Sequence, residues 1–282
     1  MFMCNAEGEP MYKLVATDMD ETFLAKDHTI PQTNVDAILR MRELGVLFVP
    51  ASGRAYGSIM SSLRDLPPAC LEDSYVISYN GGCINRVGVD EPIISHSISF
   101  ERVESLFEYA KSAGDIGMHI YTVDGYVWGW NLTDSELGYL EGHMDIDVFE
   151  GDSIEFLRDV PLSKCLYVYE DLDVLHELAR TMDPALSAGL STTFSSGRYY
   201  EFNPAGVDKG AGLRALAELL GIDLSETIAC GDSANDQAML EAAGVGVVVS
   251  NGSDDVLAIA DYKATSSCDD GIFAEVLEKF IL

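Results

Sequence analysis

Four short stretches bring together the residue types that handle phosphate. Asp18-Met19-Asp20-Glu21-Thr22, Ser52-Gly53-Arg54, Lys209-Gly210 and Gly231-Asp232-Ser233-Ala234-Asn235-Asp236 supply carboxylates, a hydroxyl, glycine amides and one lysine. Carboxylate oxygens suit a hard cation, and a transferring phosphoryl group needs its charge neutralised and its oxygens held. The set therefore points to Mg2+-assisted phosphoryl transfer. Each piece also has a plainer reading. Asp is common in turns after strands, Ser52-Gly53 can cap a helix, and a helix surface is the usual place for a lysine. An EF-hand starts with similar Asp spacing but needs Gly at position six and Glu at twelve, where this chain has Phe23 and Thr29. What outweighs the plain readings is the order: each piece falls at an expected strand end or helix start.

The elements that must position them follow from periodicity. Leu14–Thr17, Val46–Val49, Tyr75–Ser78, Thr227–Cys230 and Val245–Val249 are short apolar runs, the signature of strands buried on both faces. Between them, Pro31–Leu44 and Lys209–Leu220 carry apolar residues at helical spacing and stop at Gly45 and Gly221. A final helix is expected around Phe273–Phe280. The middle of the chain differs. Asp124-Gly125 between Tyr121-Thr122-Val123 and Tyr126-Val127-Trp128 predicts a hairpin, and Thr133 with Glu136 predicts a capping box. These changes predict an α/β core with a parallel sheet, residues 11–82 and 198–282, interrupted by an inserted α+β domain over 83–197. In such sheets ligands bind beyond the carboxyl ends of the strands, where the four stretches fall.

Composition narrows the partners. The chain has 282 residues, with 17 Lys plus Arg against 47 Asp plus Glu, a net charge of −30. That excess excludes nucleic-acid binding and attachment to an anionic membrane surface. With 48% hydrophobic residues the chain can still build a large core. Six cysteines (Cys4, Cys70, Cys83, Cys165, Cys230 and Cys268) show no paired spacing, which suits reduced thiols. Neither a signal peptide nor an apolar run of about 18 residues is visible, so a cytoplasmic protein is expected. Monomer and dimer are equally open.

The ordered set resembles the haloacid dehalogenase (HAD) superfamily, specifically its Cof-type, class IIB phosphatases. Asp18-x-Asp20-x-Thr22, Ser52-Gly53-Arg54, Lys209-Gly210 and Gly231-Asp232-x-x-Asn235-Asp236 correspond to motifs I to IV. Ile77-Ser78-Tyr79-Asn80-Gly81 and Asp269-Asp270-Gly271 match as well. The resemblance runs from Tyr12 onward and implies a Rossmann-like core with a class IIB cap that covers the site and selects the leaving group. It further implies Asp18 as nucleophile and Asp20 as general acid and base. Mg2+ would be held by the carboxylates of Asp18 and Asp232 and the backbone carbonyl of Asp20, with Asp236 behind them. Thr22, Ser52, Gly53 and Lys209 would bind the phosphoryl group, with Arg54 as an added anion contact. Asn235 would touch substrate or orient Asp18. Two positions depart from the family pattern: Glu21 stands where motif I has glycine, and Ser52 where threonine is more frequent. Glu21 is expected to turn toward solvent.

The expected substrate is a small phosphorylated metabolite. Residues 83–197 hold 21 acidic and 6 basic residues with no basic cluster, so a neutral sugar or polyol is favoured over a nucleotide polyphosphate. Tyr126, Trp128 and Trp130 share one face of a strand, where they pack the cap's interior or stack on a sugar ring. His119 and His143 receive no role. A phosphomutase with the same aspartyl-phosphate, or a protein that binds a sugar phosphate with little turnover, are the alternatives. A receiver domain shares several groups but is under half this length and leaves Asp20 without a task.

Overall fold

The computed structural model describes residues 11–141 and 144–282; Cys4 and His143 lie outside the described residues. The chain divides into two compact units, one formed by residues 11–94 with Asp208–Leu282, the other by Ser95–Val207. The first unit opens with β1 (Leu14–Thr17), α1 (Gln32–Glu43), β2 (Leu47–Pro50), α2 (Tyr56–Ser62), β3 (Tyr75–Ser78), β4 (Cys83–Arg86) and β5 (Ile94–Ser95). The second contains α3 (Phe100–Ser112), β6 (Gly117–Thr122), β7 (Val127–Trp130), α4 (Asp134–Leu140), β8 (Asp147–Val148), β9 (Leu162–Val168), α5 (Leu172–Thr181), α6 (Pro184–Ser187), β10 (Leu190–Ser195) and β11 (Tyr199–Pro204). The first then resumes with α7 (Lys209–Leu220), β12 (Thr227–Gly231), α8 (Gln237–Ala242), β13 (Val245–Val248), α9 (Asp254–Ile259), β14 (Tyr262–Lys263) and α10 (Ile272–Val276). No helix among the described residues is long and apolar enough to cross a membrane.

The first unit is built on a parallel sheet of order β14-β13-β12-β1-β2. Alternate residues feed two cores. Val15, Phe48, Ile228 and Val247 meet α1 and α10 through Ile38, Met41 and Phe273. Leu14, Ala16, Val49 and Ala229 meet α7 and α8 through Leu213, Leu216 and Met239. Burial on both faces is why these strands read as unbroken apolar runs.

The second unit is a sheet of order β10-β11-β9-β6-β7-β8, antiparallel except for β7 with β8. One face, with Met118, Ile120, Cys165, Tyr167, Tyr200 and Phe202, packs on α3 and α5. Trp130 lies edge-on to Phe107 at 5.0 Å and Trp128 to Phe156 at 4.9 Å. Both tryptophans are half-buried and pack against this interior.

Both expected boundaries move. β4 pairs antiparallel with β3 of the first unit, from Ser78↔Cys83 to Tyr75↔Arg86. That hairpin carries the unit to residue 94 rather than 82. At the other end β11 lies between β10 and β9 of the second sheet, so that unit runs to Val207 and not Gly197. The motif Tyr199-Tyr200-Glu201-Phe202 alternates apolar and polar faces at period two, unlike a strand of the parallel core. The Thr133–Glu136 capping box is half formed. Thr133 Oγ1 accepts from Glu136 N at 3.2 Å, but the Glu136 carboxylate turns to Arg198 and Tyr199.

Candidate active site

The site is assembled by strand order. β1 lies between β12 and β2 in register, with Thr17 opposite Cys230 on one side and Pro50 on the other. The residues just past these three strands, Asp18, Asp232 and Ser52, thus leave the sheet side by side. The exits are fixed by backbone bonds: Asp18 N donates to Cys230 O at 2.9 Å and Ala51 N to Thr17 O at 2.7 Å.

Lys209 arrives from the first turn of α7, capped by Asp208, whose Oδ1 accepts from Ala211 N at 2.7 Å. Two close approaches set its position. Gly81 has φ +93°, and a Cβ there would stand 2.2 Å from Asp208 O; a Cβ on Gly210 would stand 2.1 Å from Ala238 O. These clashes are the physical content of the Asn80-Gly81 and Lys209-Gly210 pairs seen in the sequence.

Lys209 is fully buried, its Nζ 2.5 Å from Asp18 Oδ1 and 2.6 Å from Asp236 Oδ1. Burial alone would lower the ammonium's pKa, but the two carboxylates outweigh it and hold it above its ordinary value. Burial pushes the Asp18 carboxyl well up, opposed by Lys209 and reinforced by Asp236. Asp232 is pushed up to about 6, by burial first and then by Asp236.

Asp18, Asp232 and Asp236 each bring an oxygen within 4.8 Å of the others. Asp236 is saturated, because its Oδ2 also accepts from Asp232 N at 3.0 Å and Ser233 N at 3.1 Å. Asp18 and Asp232 each keep one oxygen without a hydrogen-bond partner among the described residues. Three carboxylates with one ammonium leave excess negative charge and open oxygens, a donor set that fits a hard divalent cation. The Asp20 carboxylate is not part of this cluster. It forms an ion pair with Arg54 Nη2, and His28 Nδ1 lies 3.5 Å from the same oxygen.

Several expected roles change. Thr22 is fully buried and its Oγ1 donates to Asp232 Oδ1 at 2.8 Å, so its hydroxyl steadies a carboxylate instead of a phosphate. Arg54 is engaged by Asp20 and by Ser62 Oγ at 3.0 Å, which removes it as a free anion contact. Asn235 is exposed and bonds with Ser233 Oγ at 2.7 Å and Asn80 Oδ1 at 3.5 Å, making no bond to Asp18. Ser52 is buried, its Oγ accepting from Arg54 N at 3.2 Å and keeping its own proton to donate. Gly53 stands against the Asn80 side chain, which a Cβ would meet at 3.1 Å. Glu21 is exposed, with φ +56°, and its carbonyl accepts from Asn251 Nδ2 at 2.8 Å. His28 and Asn251 carried no signal in the sequence, since their partners lie far off in the chain or within an irregular turn.

His119 is buried in the second unit, its Nε2 3.4 Å from Glu136 Oε1. Burial, then Lys164, lowers its pKa to about 3, so it is neutral and structural.

This arrangement, one lysine amid three carboxylates at the ends of adjacent parallel strands, defines a phosphoryl-transfer class, and the comparisons agree. The haloacid dehalogenase-like hydrolase family matches residues 15–276, and the chain belongs to that family. A haloacid dehalogenase-like hydrolase from Bacteroides thetaiotaomicron superposes with a TM-score of 0.81 at 30% identity, covering 95% of this chain and 99% of that one. A HAD-superfamily phosphatase from the same organism gives 0.80 at 27% identity, covering 99% and 98%. The 5-amino-6-(5-phospho-D-ribitylamino)uracil phosphatase of Bacillus subtilis (strain 168) is 28% identical over 270 residues, 96% of either chain. The chain is a Cof-type HAD phosphatase, a phosphoric monoester hydrolase.

Proposed function

We propose that this phosphatase hydrolyses the monoester of a small sugar or polyol phosphate through an aspartyl-phosphate on Asp18. The observation that carries the mechanism is the Lys209 ammonium seated between Asp18 and Asp236, beside the open oxygens of Asp18 and Asp232. In the first step an Asp18 oxygen bonds to phosphorus as the bond to the leaving oxygen breaks. Asp20 gives that oxygen its proton. In the second step Asp20 takes a proton from water, the water oxygen bonds to phosphorus, and the Asp18–phosphorus bond breaks. Lys209, the Ser52 hydroxyl and the Gly53 amide hold the phosphoryl oxygens as charge develops on them. Arg54 and His28 fix the carboxyl of Asp20 between the two steps.

Mg2+ would be held by the Asp18 and Asp232 carboxylates and the Asp20 carbonyl, and when bound it offsets the repulsion between an anionic nucleophile and an anionic phosphate. Thr22 and Asp236 keep Asp232 in place for it.

The substrate class rests on charge. In the second unit the basic side chains are already spoken for. Lys164 pairs with Glu201 at 2.8 Å, Arg198 with Glu136 at 2.8 Å, Arg158 with Glu155, Arg180 with Glu177 and Lys111 with Glu108, while Arg102 donates to Ala185 O. Among the described residues none of that unit's lysines or arginines is left over for a second phosphate, which favours a neutral leaving group. The B. subtilis relative named for a phosphoribityl compound supports a polyol phosphate. The test is phosphate release, with product analysis by phosphorus NMR, across phosphorylated sugars, polyols, nucleotides and cofactors. Sugar and polyol phosphates should give the highest kcat/KM and free phosphate as product. A preference for nucleotide polyphosphates, or an isomerised sugar phosphate, would overturn the assignment.

A further inference from the structure

We propose that β10 is a self-pairing edge through which two copies of this chain associate. Natural sheets protect their edges with short strands, charged residues, prolines or bulges. Most other outer strands here comply: β8 has two residues including Asp147, β14 two including Lys263, and β5 only two, while the uncharged edges of β2 and β3 meet each other through the Ala51↔Ile77 bridge and the Ser52 N to Ile77 O bond. β10 does not. It has six residues, Leu-Ser-Thr-Thr-Phe-Ser, paired without a register shift from Leu190↔Pro204 to Ser195↔Tyr199. The whole run from Pro184 to Gly197 carries no charge, in a chain where 23% of residues are charged. Thr192, Thr193 and Phe194 are nonetheless exposed.

The backbone geometry shows which groups are on offer. Tyr169 N donates to Arg198 O at 3.1 Å, so the even-numbered residues of β11 bond toward β9 and its odd-numbered ones toward β10. Tyr199, Glu201 and Asn203 therefore take up Ser195, Thr193 and Ser191. Pro204, opposite Leu190, has no N–H to give. Leu190, Thr192 and Phe194 thus turn their N–H and C=O groups outward. An antiparallel pair centred on Thr192 sets Leu190 against the partner's Phe194 on one face. On the other it sets Ser191 against the partner's Thr193. Every cross-strand pair is apolar or hydroxyl, with no like charges opposed.

Charge selects the occupant. Two bodies of −30 repel across most of their surfaces, whereas this strand brings no charge of its own, and the Glu201 carboxylate beside it is taken up by Lys164 and Ser195. A basic partner would be drawn to the acidic faces instead.

The experiment is sedimentation velocity on the full chain over about 5 to 300 μM, at low and at moderate salt. A concentration-dependent dimer is expected, tightening several-fold as salt screens the repulsion. Thr192→Pro removes only an outward N–H, and Thr192→Lys sets two ammonium groups face to face across the axis; each should weaken the dimer at least tenfold while phosphatase activity stays unchanged. A wild type that remains monomeric throughout overturns the proposal. So does a dimer that loosens with added salt, or one untouched in both folded variants.

Discussion

At the scale of residues, Lys209 is the cation around which the site is balanced. Removing it leaves Asp18 and Asp236 buried and facing each other, a change that costs about 3–5 kcal/mol when one partner of a buried pair is lost. Lys209→Met is therefore expected to lower Tm strongly and abolish turnover. A divalent cation supplies part of the missing charge, so added Mg2+ should raise the Tm of Lys209→Met more than that of the wild type; an equal shift would show that the carboxylates do not share the ion. Thr22→Val keeps the shape but removes the donor to Asp232 Oδ1. Its Mg2+ half-saturation should rise roughly 3- to 10-fold, about 1 kcal/mol, and an unchanged value would place Thr22 outside the metal shell. Asp18 and Asp232 were legible because each follows directly on a buried strand, and Lys209 because it opens a helix. The partners of Thr22, Arg54 and Glu136 were not, because a side-chain hydrogen bond across tens or hundreds of residues leaves no local pattern.

At the scale of elements, the position of α7 depends on the turn at Gly81. Gly81→Ala would put a methyl 2.2 Å from Asp208 O at φ +93°. It should destabilise by about 2–4 kcal/mol in urea and cut kcat through Lys209. Gly57 lies in α2 with nothing within 4 Å of a Cβ, so Gly57→Ala should instead stabilise by about 0.5–1 kcal/mol. The segment that closes the core behaves differently with pH. Glu275 accepts from Tyr262 Oη at 2.7 Å and from Thr265 N and Ser266 N at 2.9 Å, and these bonds outweigh burial to hold its pKa near 2. Because the folded value lies below the ordinary 4.5, its stabilisation is complete above about pH 4.5 and fades as pH falls toward 2. The difference in unfolding free energy between wild type and Glu275→Gln should therefore shrink between pH 6 and pH 3; a difference that grew would invert the assignment. Most elements of the parallel core were readable from apolar runs and helix stops. The unit boundaries were not, since the β3–β4 hairpin carries no local mark of the sheet it joins and the alternation that sets β11 apart from the core strands spans only Tyr199 to Phe202.

At the scale of the whole molecule, 17 basic against 47 acidic residues surround the phosphate site with a repulsive field. On the proposed mechanism the attraction comes locally, from Lys209, the Gly53 amide and a cation held by Asp18 and Asp232. Modest added salt should screen the long-range repulsion and lower KM for an anionic substrate; a KM that climbed steadily from low salt would contradict this. The central claim is that Asp18 carries the phosphoryl group beside a bound cation. Hydrolysis of p-nitrophenyl phosphate by wild type and Asp18→Asn, with Mg2+ and with chelator, tests it directly. Wild type should turn over only with metal, and Asp18→Asn should be folded yet at least about a thousandfold slower. Turnover that survives the chelator, or an Asp18→Asn variant within tenfold of wild type, would contradict it.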